Sequence, residues 1–164
     1  MKWEVISNER SSLQEYRLID NNDCKVVIKY NPRHQSARIT SGSHHRLFFL
    51  ESAGSLSGKT VFKNEYGMEV GNLVHDKFHP GDGSIMIDSK KYQYHLQNIP
   101  LPELVIYSND RHQAVANCDI QSNNGLSSNS NTTDNNCYLL GLCWHLLLPA
   151  EKEIMPQYNT AVVL

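Results

Sequence analysis

Asn136-Cys137-Tyr138-Leu139-Leu140-Gly141-Leu142-Cys143-Trp144-His145-Leu146-Leu147-Leu148-Pro149 is the longest nearly unbroken apolar run in the chain, and its reading decides the fold. A membrane span needs about 20 apolar residues, and this run is closed early by Pro149 and Glu151. A strand buried on both faces runs about 4–8 residues, which this run exceeds. Its leucines favour helix, where a strand would be richer in β-branched side chains. Asp134, Asn135 and Asn136 offer an N-cap and Pro149 a stop. A helix that is apolar all round has to be buried all round. The run therefore predicts a core helix over residues 137–148, enclosed by the rest of the chain.

The rest of the chain reads as short strands and turns. Residues 14–20 and 24–30 flank the turn-forming Asn21-Asn22-Asp23. In the second segment Val26, Ile28 and Tyr30 share one face, and Lys25, Val27 and Lys29 the other. Residues 36–40 and 46–51 follow, separated by Ser41-Gly42-Ser43. Residues 58–63 and 68–74 bracket a hairpin loop, Asn64-Glu65-Tyr66-Gly67; residues 83–88 and 91–96 bracket Ser89-Lys90; residues 103–108 and 113–120 bracket Asn109-Asp110-Arg111-His112. With residues 3–6 and 160–164 the count is about twelve strands, an all-β pattern of sandwich or barrel type. A sandwich core is about 10 Å thick, no wider than a helix with its side chains. An enclosed helix therefore favours a meander barrel.

At 164 residues, with 40% hydrophobic and 20% charged residues, one domain with a substantial core is expected. A net charge of -2 gives no bulk signal for nucleic acid. Residues 121–136, rich in Asn, Ser, Thr and Gly, read as a flexible polar loop, and residues 150–164 as a C-terminal tail. Cys24, Cys118, Cys137 and Cys143 show no Cys-x-x-Cys spacing, and reduced thiols are expected. The opening Met1-Lys2-Trp3-Glu4-Val5-Ile6 has no signal-peptide apolar core and Lys2 no myristoylation glycine, which makes a cytoplasmic location, peripheral to a membrane at most, the expectation.

The meander of about twelve strands followed by an apolar helix near the C-terminus resembles the tubby-like barrel shared by tubby domains, phospholipid scramblases and LURP-one-related proteins. The glycine-marked hairpin Asn64-Glu65-Tyr66-Gly67-Met68-Glu69-Val70-Gly71 fits the scramblase and LURP-one branch. The chain departs from it in having a tail after the helix and no Cys-rich palmitoylation segment. The resemblance implies a non-catalytic module for phospholipid or phosphoinositide headgroups, or a scaffold with a protein partner.

Several residues are candidates for chemistry. Lys25 and Lys29 share one strand face, as do Lys59 and Lys63, and Lys90 and Lys91 sit at a tight turn. Brought together they would attract anionic headgroups at about 1 kcal/mol per basic residue; separately they keep a β-surface soluble and blunt its edges. Arg38 and Arg46 could add to such a patch. His75, Asp76, His79 and Asp82 are all competent metal ligands, but Pro80, Gly81 and Gly83 point to a loop, where His-x-x-x-His pairing is lost, so no metal is assigned. Cys143 and His145 lie two apart, on different faces of a helix, and cannot pair as nucleophile and base. No hydrolase, Walker or dinucleotide motif occurs, so nothing in the sequence argues for an enzyme or a cofactor. The rival to lipid binding is an interaction barrel without lipid affinity; a third reading is an enzyme with a cleft at the barrel mouth lined by His75, His79 and Asp82.

Overall fold

The computed structural model describes residues 1–6, 12–53, 58–79, 81–97, 103–109, 113–119 and 134–147. Eleven strands follow one another: β1 (Lys2–Ile6), β2 (Gln14–Asp20), β3 (Asp23–Asn31), β4 (Ser36–Ser41), β5 (His44–Ser52), β6 (Lys59–Lys63), β7 (Glu69–His75), β8 (Asp82–Ile87), β9 (Lys90–Gln97), β10 (Glu103–Ser108) and β11 (Ala114–Asp119). Each pairs antiparallel with the next, giving a single eleven-stranded meander sheet in sequence order. The predicted strand over residues 160–164, the tail, and residues 121–133 of the expected loop 121–136 lie outside the described residues, whereas 134–136 of that loop are helical.

Local chemistry explains the turns. Asn21 and Asn22 both take positive φ, 48° and 68°, between β2 and β3. Asn tolerates this left-handed conformation because its short polar side chain bonds locally. Asp88 and Ser89 do the same between β8 and β9, at 48° and 64°. The expected turn Ser89-Lys90 is thus displaced by one residue. Lys90 instead begins β9 opposite Ile87, and one residue of phase reverses the face each side chain takes.

Strand alternation then sorts the two faces. Leu18 stands opposite Val26, Ile28 opposite Ile39, Ala37 opposite Phe48, and Leu104 opposite both Leu96 and Cys118. Leu18, Val26, Ile28, Ala37, Ile39, Phe48, Leu73, Ile85, Tyr94, Leu104 and Ile106 belong to one buried cluster, which also takes in the helix. Register shifts occur at Leu18/Ile19, Phe62/Lys63 and Ile106/Tyr107, all toward the same end of the sheet. Such bulges raise local twist and recur at barrel rims.

The apolar run is helical, in two pieces where one was expected. α1 (Asp134–Leu142) and α2 (Trp144–Leu147) are separated by a turn at Cys143. The Cys143 amide donates to Leu140 O at 3.1 Å and the Leu146 amide to Cys143 O at 2.9 Å. Both span three residues, the tighter 3-10 pattern, and the break seats Trp144 on Tyr16 (ring centroids 4.8 Å apart, 30° between planes) and beside Tyr30. Every residue from Cys137 to Trp144 is buried, as an all-apolar helix requires.

α1 packs on β3, β4 and β11 together. Eight steps of about 4.8 Å would put β3 and β11 about 38 Å apart in a flat sheet, whereas a helix with side chains is about 10 Å across. The sheet therefore curls around the helix. Among the described residues β1 and β11 do not pair, so the sheet retains two edges. No described helix is long and apolar enough to cross a membrane.

Candidate functional site at the mouth of the sheet

The turns joining β4 to β5, β6 to β7 and β8 to β9 fall at one end of the meander, and α1 begins there: Tyr138 lies beside His44, the first residue of β5, with ring centroids 5.8 Å apart. Arg46 alternates in phase with the buried Phe48, so its side chain turns inward despite its charge. Its guanidinium lies 5.0 Å from the Phe48 ring centroid, a cation–π contact. It also meets Asp88 with both terminal nitrogens: Nη1 donates to Oδ2, and Nη2 to Oδ1 at 3.0 Å. Hydrogen bonding to that carboxylate raises the Arg46 pKa further. β5 and the β8–β9 turn are bridged across two intervening strands, which the curl alone makes possible.

Around this pair lies a groove of about 430 Å³, lined by His44, Arg46, Asp88, Lys90, Asn136 and Tyr138. Arg46 and Lys90 against Asp88 leave one net positive charge. The Tyr138 hydroxyl is buried beside the Arg46 guanidinium, close enough to feel it but outside good hydrogen-bond geometry, and the residue is only 8% exposed. Burial pushes its pKa up, with the Arg46 charge opposing, so it remains a protonated donor. Arg46, Lys90, Asn136 and the Tyr138 ring converge on one concavity whose basic side chains suit an anion. The described lining holds no nucleophile–base pair.

The sequence-derived candidates fall elsewhere, Lys90 excepted. Lys25 and Lys29 project from the outer face of β3, Lys59 and Lys63 from the outer face of β6, with β4 and β5 between them. Each lies near a carboxylate: Lys25 with Asp23 (3.4 Å), Lys29 with Glu15 (3.9 Å), Lys59 with Glu69 (3.5 Å) and Lys63 with Glu51. Lys91 faces outward opposite Met86, on the other side of the sheet from Lys90. These lysines are spread over the outside of the sheet instead of forming one patch.

His75, Asp76, His79 and Asp82 are drawn into three separate pairs. His75 Nδ1 meets the Tyr94 hydroxyl at 2.7 Å. Asp76 accepts the backbone amides of Phe78 (2.8 Å) and His79 (3.2 Å) and lies 3.3 Å from the His79 ring. Asp82 meets His95 across the β8–β9 ladder. No ligand cluster of three or more His, Cys, Asp or Glu residues occurs among the described residues. Cys118, Cys137 and Cys143 are buried and Cys24 is exposed. The side chain of His145 lies outside the described set.

A larger, open groove of about 810 Å³ runs from Arg46, which it shares with the mouth, onto the outer face by Arg38, His45, Leu47, Asn64, Glu65 and Val70. None of its polar side chains is buried, so it makes less of a built site than the mouth. Compared with protein-family models, curated proteins and solved structures, the chain gives no match.

Proposed function

We propose that the curled sheet is the wall of a tubby-like barrel and that the protein is a non-catalytic module binding the anionic headgroup of a membrane phospholipid at the mouth beside the start of α1. The observation that carries this reading is the groove that gathers Arg46, Lys90 and Tyr138 at the start of α1, with the Tyr138 hydroxyl buried beside the Arg46 guanidinium. Support for the barrel comes from the order of elements, eleven meandering strands and then an apolar helix gripped by strands from both halves of the sheet.

The reading moves the binding site from the outer lysines to the mouth. Outer lysines matched with carboxylates contribute little, since exposed ion pairs are worth about 0–1 kcal/mol and leave little net field. Arg46 differs because its guanidinium carries five donors, so donors remain beside those that Asp88 uses. A phosphate monoester can share the guanidinium with Asp88 or displace it, while Lys90 contributes further donors.

Liposome co-sedimentation tests the assignment. Vesicles of phosphatidylcholine with phosphatidylserine or a phosphoinositide are expected to bind the protein more strongly than phosphatidylcholine alone, and less so as salt rises. Lys90→Gln and Arg46→Gln are each expected to weaken binding about fivefold or more, whereas Lys59→Gln/Lys63→Gln leaves it nearly unchanged. Equal loss in both sets would return the site to the outer face, and no binding at any salt would leave a barrel without lipid affinity.

A further inference from the structure

The β6–β7 hairpin reaches the same rim as the mouth, and its tip carries an apolar pair. Tyr66 is 78% exposed and Met68 58%, two of the four most exposed large apolar side chains among the described residues. The other two, Phe78 at 88% and Val5 at 60%, lie toward the opposite end, on the β7–β8 loop and late in β1. The tip is held rigidly for a surface feature. Asn64 Oδ1 accepts the amides of Tyr66 and Met68, each at 3.0 Å, and the Gly67 amide donates to Asn64 O at 2.9 Å. Gly67 takes φ +75°, a conformation other residues resist.

We infer that this tip docks the protein onto a lipid surface, with Tyr66 and Met68 in the interfacial layer and the mouth turned toward the headgroups. The inference rests on the headgroup reading above and supplies the orientation that reading lacks. Continuity is the first argument: the tip stands between the β4–β5 and β8–β9 turns that carry His44 and Lys90, and its hairpin is the pair of strands bridged by Arg46 and Asp88. Charge complementarity is the second, because the groove beside the tip has an excess of basic groups. Glu65, the acid of the tip, lines the outer groove with Arg38, His45 and Arg46, and that groove meets the mouth at Arg46 without including Lys90. Tyrosine suits the headgroup layer, where its ring is apolar and its hydroxyl wet. A flexible methionine is equally suited to an irregular lipid boundary. Neither is needed for folding at these exposures, so replacing them tests docking alone.

The test compares three proteins against two probes. The proteins are the wild type, Tyr66→Ser/Met68→Ser, and Phe78→Ser as a control at the opposite end. The probes are vesicles of phosphatidylcholine with phosphatidylserine, read by co-sedimentation, and inorganic phosphate, read by chemical-shift changes at the mouth. The double variant is expected to bind vesicles about tenfold more weakly, to bind phosphate as the wild type does, and to keep its melting temperature. Phe78→Ser is expected to match the wild type with both probes. Unchanged vesicle binding in the double variant overturns the docking surface while sparing the mouth. An equal or greater loss in Phe78→Ser overturns it by placing the membrane at the other end. A wild type that binds neither probe overturns the headgroup reading and this inference with it.

Discussion

Gly141 shows how closely single residues are constrained in the core. A Cβ there would lie 3.0 Å from Ile39 Cγ2 and 3.1 Å from Val26 Cγ1. Both neighbours are buried side chains of β4 and β3, so the glycine that interrupts the apolar run is what lets α1 lie against the sheet. Gly141→Val is expected to cost about 3 kcal/mol in denaturant unfolding, from overpacking and a β-branched side chain in a helix; a stability equal to the wild type would mean that the helix does not touch β3 and β4. The His75–Tyr94 pair supplies a pH test. Burial holds the His75 pKa below its ordinary value and that of the Tyr94 phenol above its own, so a protonated phenol donates to a neutral imidazole. Because the folded state disfavours the charged imidazole, this contribution is complete above the ordinary histidine value and is lost as pH falls through the lowered one. An NMR titration should place His75 below about 6.5, and a value at or above it would contradict the pairing. Arg46 was the residue hardest to read from sequence. Its only signal is phase, an arginine two residues before Phe48 on the same strand face, and sequence alone does not reveal Asp88, 42 positions away, as its partner.

At the level of elements, the turns were the most legible and the helix ends the least. Asn21-Asn22 declares itself because few other residues accept two consecutive positive φ angles. The turn at Asp88-Ser89 falls one residue before the Ser89-Lys90 that the sequence suggests, since Asp, Ser and Lys all occur in polar turns and only backbone angles distinguish them. The error matters, because it assigns Lys90 to a turn when it starts a strand that faces the mouth. Ser89→Gly should relieve the strained conformation and stabilise the protein by about 1 kcal/mol, measured by thermal melting; a lower melting temperature would argue against the turn. The burial of the helix was legible from its leucines, and its break at Cys143 was not, because the cause is tertiary: Trp144 docks between Tyr16 and Tyr30, from strands more than a hundred residues earlier. Leu142, 1% exposed, sets the scale of that burial. Leu142→Ala should cost about 2–5 kcal/mol, and Leu142→Asp, which buries an unpaired charge, should abolish the cooperative melt. A melt retained in Leu142→Asp would mean that the apolar run is not the core.

On the scale of the molecule, curvature creates the site. In a flat sheet Arg46 and Asp88 would stand three strands apart, about 14 Å, yet their side chains meet directly. The same curl carries β11 to the helix that β3 and β4 already hold. Alternation along each strand foretold an all-β meander and which faces would be buried, but it carries no information on how far the sheet bends, so the mouth was not legible while the outward lysines were. The lysines that look available in sequence lie near carboxylates outside, and the candidate groove is lined by Arg46, Asp88 and Lys90, read as strand and turn, and by Tyr138 of the apolar run. The most direct test is a titration with inorganic phosphate at low salt, followed by two-dimensional NMR of the backbone amides of residues 44–46, 88–90 and 136–138 and of the Arg46 side chain. A saturable shift confined to these residues, and abolished in Arg46→Gln, is the predicted result. No shift, or shifts spread over Lys25, Lys29, Lys59 and Lys63, would contradict an anion site at the mouth.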